Sequence, residues 1–81
     1  MIRTTVGVEG MMCGMCESHV SAAVRRSVAT KSVKCNRRKR TCVIVSEDEI
    51  DHALLTKAIA ETGYEVTSVR SEPYKKRGLF G

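Results

Sequence analysis

Residues 2 to 16 read "IRTTVGVEGMMCGMC", and the fold turns on how this stretch divides. Ile2, Thr4, Val6 and Val8 fall on one side of an extended chain and Arg3, Thr5, Gly7 and Glu9 on the other, the period of a strand with one buried face. Gly10 breaks the alternation. Two cysteines, Cys13 and Cys16, follow in a run of glycine and methionine. From Cys16 to Ala29 the interval changes: Val20, Ala23, Val24 and Val28 recur at helical spacing while Arg25 and Arg26 take the opposite face. That spacing predicts an amphipathic helix of about three and a half turns.

Working outward, "SVKCN" (32–36) and "TCVIVS" (41–46) have the β-branched content of strands and flank the basic turn "RRKR", which predicts a hairpin. Asp51 is placed as an N-cap ahead of Leu54, Leu55, Ala58 and Ile59, with Gly63 as the residue that ends a second helix of about three turns. "YEVTSV" (64–69) supplies a last strand, and "RSEPYKKRGLFG" reads as a tail. The order β-α-β-β-α-β predicts an α+β, ferredoxin-like domain over residues 1–70, a four-stranded antiparallel sheet with both helices on one face, and a C-terminal tail over 71–81. Eighty-one residues with 42% apolar content, one Pro and six Gly fit one packed domain and exclude both two domains and a disordered chain.

No apolar run approaches the roughly 18 residues that cross a bilayer, and the start lacks the apolar core of a secretory signal, so a cytoplasmic protein without membrane insertion is expected. There, four cysteines in a short chain normally stay reduced, which favours metal binding or thiol chemistry over a disulfide framework. The net charge of +5 is concentrated in Arg25 and Arg26, in 37–40 and in 75–77, a surface that speeds encounter with an acidic partner or simply keeps the chain in solution. One Phe and two Tyr give no stacking platform for bases, so nucleic acid is not an expected ligand.

A Cys-x-x-Cys at a strand-to-helix junction places thiols near unpaired N–H groups and the positive end of the helix dipole, which favour the thiolate. A metal site and a redox pair both profit from this. A closed zinc site needs four ligands, whereas Cys35 and Cys42 are seven apart and His19 and His52 are isolated from each other. A soft monovalent ion such as Cu(I) is satisfied by fewer thiolates, so two cysteines form a complete site for it. The redox reading suits a parallel βαβ context, and the elements here point to an antiparallel hairpin. Burial of both cysteines as small hydrophobes does not explain their place in a glycine- and methionine-rich loop.

"GMMCGMC" (10–16), followed at family spacing by "AIAETGYEV", resembles the G-M-x-C-x-x-C pattern of the heavy-metal-associated domain, over about residues 3 to 69. That family comprises copper metallochaperones and the N-terminal domains of heavy-metal P-type ATPases. The resemblance implies Cys13 and Cys16 as the ligands of Cu(I) in near-linear geometry, with Met11 as packing under the loop. Zinc-transporting relatives tend to carry an Asp before the first cysteine, and Met12 stands there instead, which favours Cu(I) over Zn(II); Ag(I), Cd(II) and Hg(II) are the other ions such a site could take. Tyr64 matches a tyrosine of bacterial copper chaperones near the metal loop. It is open to two readings, a cover with a hydroxyl donor for a thiolate or a core aromatic. Met15 and His19 lie outside the motif. His19, one turn along the helix, is either a surface residue or a third ligand where two copies share metal.

The resemblance implies a non-enzymatic carrier, monomeric or a metal-sharing dimer, that hands its ion to an acidic metal-binding domain of a heavy-metal P-type ATPase. Met1 and the absence of a linker favour a free-standing protein over a domain of a longer transporter. The rival functions are a thiol–disulfide oxidoreductase and a Zn, Cd or Hg module. Two features stay open at this stage. A hairpin centred on Arg38 and Lys39 sets Cys35 opposite Cys42, within reach of a contact or an oxidative disulfide, whereas a one-residue change in the loop sets them on opposite faces. The family pattern turns Thr41, Val43 and Val45 toward the helices, while the apolar set Val33, Cys35, Cys42 and Ile44 argues the reverse. Leu79 and Phe80 either pack on the sheet or belong to a frayed end.

Overall fold

Alternation in the first strand makes it the centre of a sheet. In a computed structural model, which describes residues 1–11 and 14–73, β1 (Ile2–Glu9) is paired on both sides, in the order β2-β3-β1-β4 with every neighbour antiparallel. The chain runs β1, α1 (Gly14–Ser27), β2 (Ser32–Asn36), β3 (Thr41–Ser46), α2 (His52–Ala60) and β4 (Glu65–Pro73). This is the expected ferredoxin-like architecture.

Thr4, Val6 and Val8 are buried, as their alternation requires, and the two valines share one core cluster with Val20 and Val24 of α1 and Leu55 and Ile59 of α2. Thr4 keeps its hydroxyl satisfied by the hydroxyl of Ser71 at 3.2 Å, which removes the cost of burying it. Asp51 caps α2 as expected, its Oδ1 accepting from Ala53 N at 2.9 Å and Leu54 N at 3.3 Å. Beyond the last turn, Gly63 takes φ +96°, the left-handed region that favours glycine.

Four details differ from the sequence reading. α1 begins at Gly14, two residues before Cys16, and ends at Ser27. Leu54 is 45% exposed, and Ile50, just ahead of the cap, is the residue buried in that corner. β4 continues past Val69 to Pro73, taking in three residues of the expected tail, because the backbone opposite Ile2, Arg3 and Thr4 is available to pair with it. Of the two alternatives left open for the hairpin's faces, the apolar set is the one adopted: Val33, Cys42 and Ile44 face the helices and Val43 and Val45 the open side. The hairpin centres between Arg38 and Lys39, Cys35 stands opposite Cys42 with Cα atoms 3.9 Å apart, and the two are joined as a disulfide. The expectation of reduced thiols fails for this pair, because the register brings the two side chains together on one face. Leu79 and Phe80 lie outside the described residues.

The extension of β4 places Glu72 beside Arg3, whose Nε donates to the carboxylate at 2.8 Å in a charge-assisted contact. This hydrogen bond, with the charge of Arg3, lowers the Glu72 pKa from its ordinary value. A carboxylate lowered in the folded state contributes stability above its unfolded pKa and loses it as pH falls through the folded value. Glu72→Gln is therefore expected to flatten the acid limb of the stability–pH curve below the ordinary carboxylate range, under about pH 5, while leaving the slope near neutrality unchanged. Urea denaturation across that range checks it.

Candidate metal centre

Where β1 ends, three local features turn the chain from sheet to helix. Gly10 has φ +105°, and a Cβ built there would lie 2.9 Å from Cδ1 of Tyr64, so the ring lies close against the glycine backbone. Met11, only 5% exposed, inserts into the core cluster. α1 then starts at Gly14. Cys16 lies in its first turn, half-buried and packed against the core, where the unpaired N–H groups and positive end of the helix gather. Met12 and Cys13 lie outside the described residues.

The remaining sequence candidates separate by exposure. Met15 is 68% exposed and His19 is exposed. Tyr64 is half-buried and packs against the core, and its ring also borders the loop, so both of its readings keep a structural basis. His52 is at the start of α2, where its Nε2 lies 2.8 Å from the Ser71 hydroxyl. Among the described residues no group of three or more His, Cys, Asp or Glu comes together. No described helix is long and apolar enough to cross a membrane. A groove of about 440 Å³ lies at the opposite end of the domain, lined by Ser27, Lys31, Glu47, Asp51 and their neighbours. It lies at the other end of α1 from Cys16.

One neighbour was missed in the sequence: the basic turn 37–40 stands beside the start of α1. Arg37 N donates to Glu17 Oε2 at 2.7 Å, and its guanidinium Nη1 lies 3.6 Å from Oε1. A Cβ on Gly14 would sit 3.9 Å from that same Nη1. Asn36 Oδ1 accepts from Arg38 N and Lys39 N at 2.9 and 3.1 Å and so closes the turn. Arg40, with φ +57°, is held in the left-handed region while its carbonyl accepts from Val8 N at 2.8 Å and its guanidinium lies 3.7 Å from Glu9. The only signal in the sequence was an acidic residue immediately after Cys16 and four basic ones about 20 positions on. Such a pairing is visible only once the topology is known.

Gly10→Ala is expected to cost about 1–3 kcal/mol, since alanine resists the left-handed conformation and its methyl meets the Tyr64 ring. Combining it with Tyr64→Leu should recover the steric part of the loss and leave the conformational part. Chemical denaturation of the single and double variants measures both.

The model of the family described as "heavy-metal-associated domain" matches residues 5–65. Among solved structures, the chain is similar to the CopZ metallochaperone, with 27% identity, 80% of this chain and 98% of that one covered, and a TM-score of 0.74. It resembles oxidized MerP from Ralstonia metallidurans CH34 at 28% identity over 86% and 99% of the two chains, TM-score 0.72. The N-terminal domain of ZntA in its Zn(II) form matches at 25% identity over 93% and 97%, also with TM-score 0.72. The matched span covers all but the ends of the βαββαβ core, from β1 to the start of β4, and the chain belongs to the heavy-metal-associated domain family.

Proposed function

We propose that this chain binds a soft metal ion, Cu(I) before others, through Cys13 and Cys16, and transfers it to a partner protein. The observation that carries the reading is the position of Cys16, half-buried in the first turn of a helix that follows a left-handed glycine and a core-anchored methionine. A thiolate there is favoured by the helix end. Met12 ahead of Cys13 supplies no carboxylate oxygen, which suits a thiophilic monovalent ion. The similarity to a metallochaperone supports a carrier and not an enzyme. The solved Zn(II) form of a relative makes Zn(II) the competitor to test.

Transfer proceeds by ligand exchange. An incoming partner thiolate joins the two-coordinate ion before a resident one leaves, so no step releases the bare cation. Exposed Met15 and His19 leave the outer side of the helix start open to such an approach, and Tyr64 covers the inner side at Gly10. Arg38 and Lys39 are exposed on the neighbouring turn, where they accelerate encounter with an acidic domain. Arg37 and Arg40 are held by Glu17 and Glu9.

Anaerobic competition titrations test the assignment. The wild-type chain is expected to retain one equivalent of Cu(I) against a moderate chelator and to prefer it to Zn(II). Cys13→Ser and Cys16→Ser should each weaken Cu(I) binding by about 100-fold or more, beyond what loss of an outer-shell group causes. Wild-type affinity in both variants would refute the site, and catalytic turnover of a disulfide substrate would favour an oxidoreductase.

A further inference from the structure

We propose that Cys35 and Cys42 form a second, reversible dithiol–disulfide site, which reacts with small-molecule disulfides through the Cys35 sulfur and whose closed form fixes the basic turn beside α1. The two residues sit directly opposite each other on β2 and β3 and are joined. Their access differs: Cys42 is fully buried, while Cys35 is half-buried at the flank of the core. A bulky disulfide therefore meets Cys35 first. The Cys35 thiolate attacks one sulfur of the small disulfide, which forms a mixed disulfide and expels one small thiolate that takes up a proton. Cys42, losing its own proton, then attacks the Cys35 sulfur, the protein disulfide closes, and a second small thiol leaves. Two electrons and two protons pass from the protein to one small disulfide. Reduction reverses the path, a small thiolate attacking the Cys35 sulfur and Cys42 departing inward.

The consequence lies in what the bond encloses. Residues 36–41 form the loop, and within it Arg40 holds a left-handed conformation that a non-glycine residue adopts reluctantly. The same loop carries the Arg37 amide and guanidinium that grip Glu17, next in sequence to Cys16. Closing the bond removes open conformations of the turn. It thereby keeps Arg37 on Glu17.

The test uses the chain with Cys13→Ser and Cys16→Ser, so its outcome does not depend on metal binding. In buffers of reduced and oxidised glutathione, mass spectrometry of the folded protein should show one reversible loss of two hydrogens. Adding Cys42→Ser should trap glutathione on Cys35, whereas adding Cys35→Ser should leave Cys42 unmodified. The Arg37 amide should exchange at least about tenfold more slowly in the oxidised than in the reduced form. No conversion short of unfolding, modification of Cys42 as fast as Cys35, or equal exchange of Arg37 in the two states would each overturn the proposal. The conversion and exchange readings need no variant of the hairpin, so they stand even if a serine there impairs folding.

Discussion

The constraint on which the rest depends is the turn out of β1, where Gly10 lies against Tyr64 in a left-handed conformation and the next side chain, Met11, is driven into the core. β1 is hydrogen-bonded on both sides and cannot slide without breaking two ladders. α1 is fixed independently, by Val20 and Val24, both wholly buried. Met11 and Gly14 are thus each anchored to a rigid element. The Cys16 thiol is thereby carried on a packed helix and not on a free loop.

Charge is arranged around the same end of the domain. Glu17 in the first turn of α1 suits the helix dipole, and Arg37 compensates its charge next to the thiol motif. Glu9 does the same for Arg40 at the end of β1. The surface pairs add little stability in themselves. Their effect is positional, since they fasten the hairpin turn to the two elements that border the cysteines and leave Arg38 and Lys39 facing outward.

Most of this order was legible in the sequence because it rests on local periodicity. The alternation of 2–9, the helical spacing of Val20, Ala23 and Val24, and the Asp51 cap all express short-range rules. What escaped depends on partners distant in the chain. Nothing local distinguishes Leu54 from Ile50, and only the packing of α2 against the sheet buries the second. β4 runs on to Pro73 because β1 offers it a partner, and the segment itself has no strand signal to the end. The faces of the hairpin followed the apolar set of this chain, with Cys42 and Ile44 buried. Of the candidate site, the motif was legible, while the Arg37–Glu17 tie, 20 residues apart, was not.

The account makes the two cysteines of the motif the whole of the metal's inner coordination, with methionine and histidine neighbours outside it. X-ray absorption at the copper edge of the protein loaded anaerobically with one equivalent of Cu(I) reads this directly. Two sulfur neighbours and no nitrogen or oxygen are predicted. A nitrogen neighbour, or a spectrum unchanged when Cys13 and Cys16 are both replaced by serine, would contradict it.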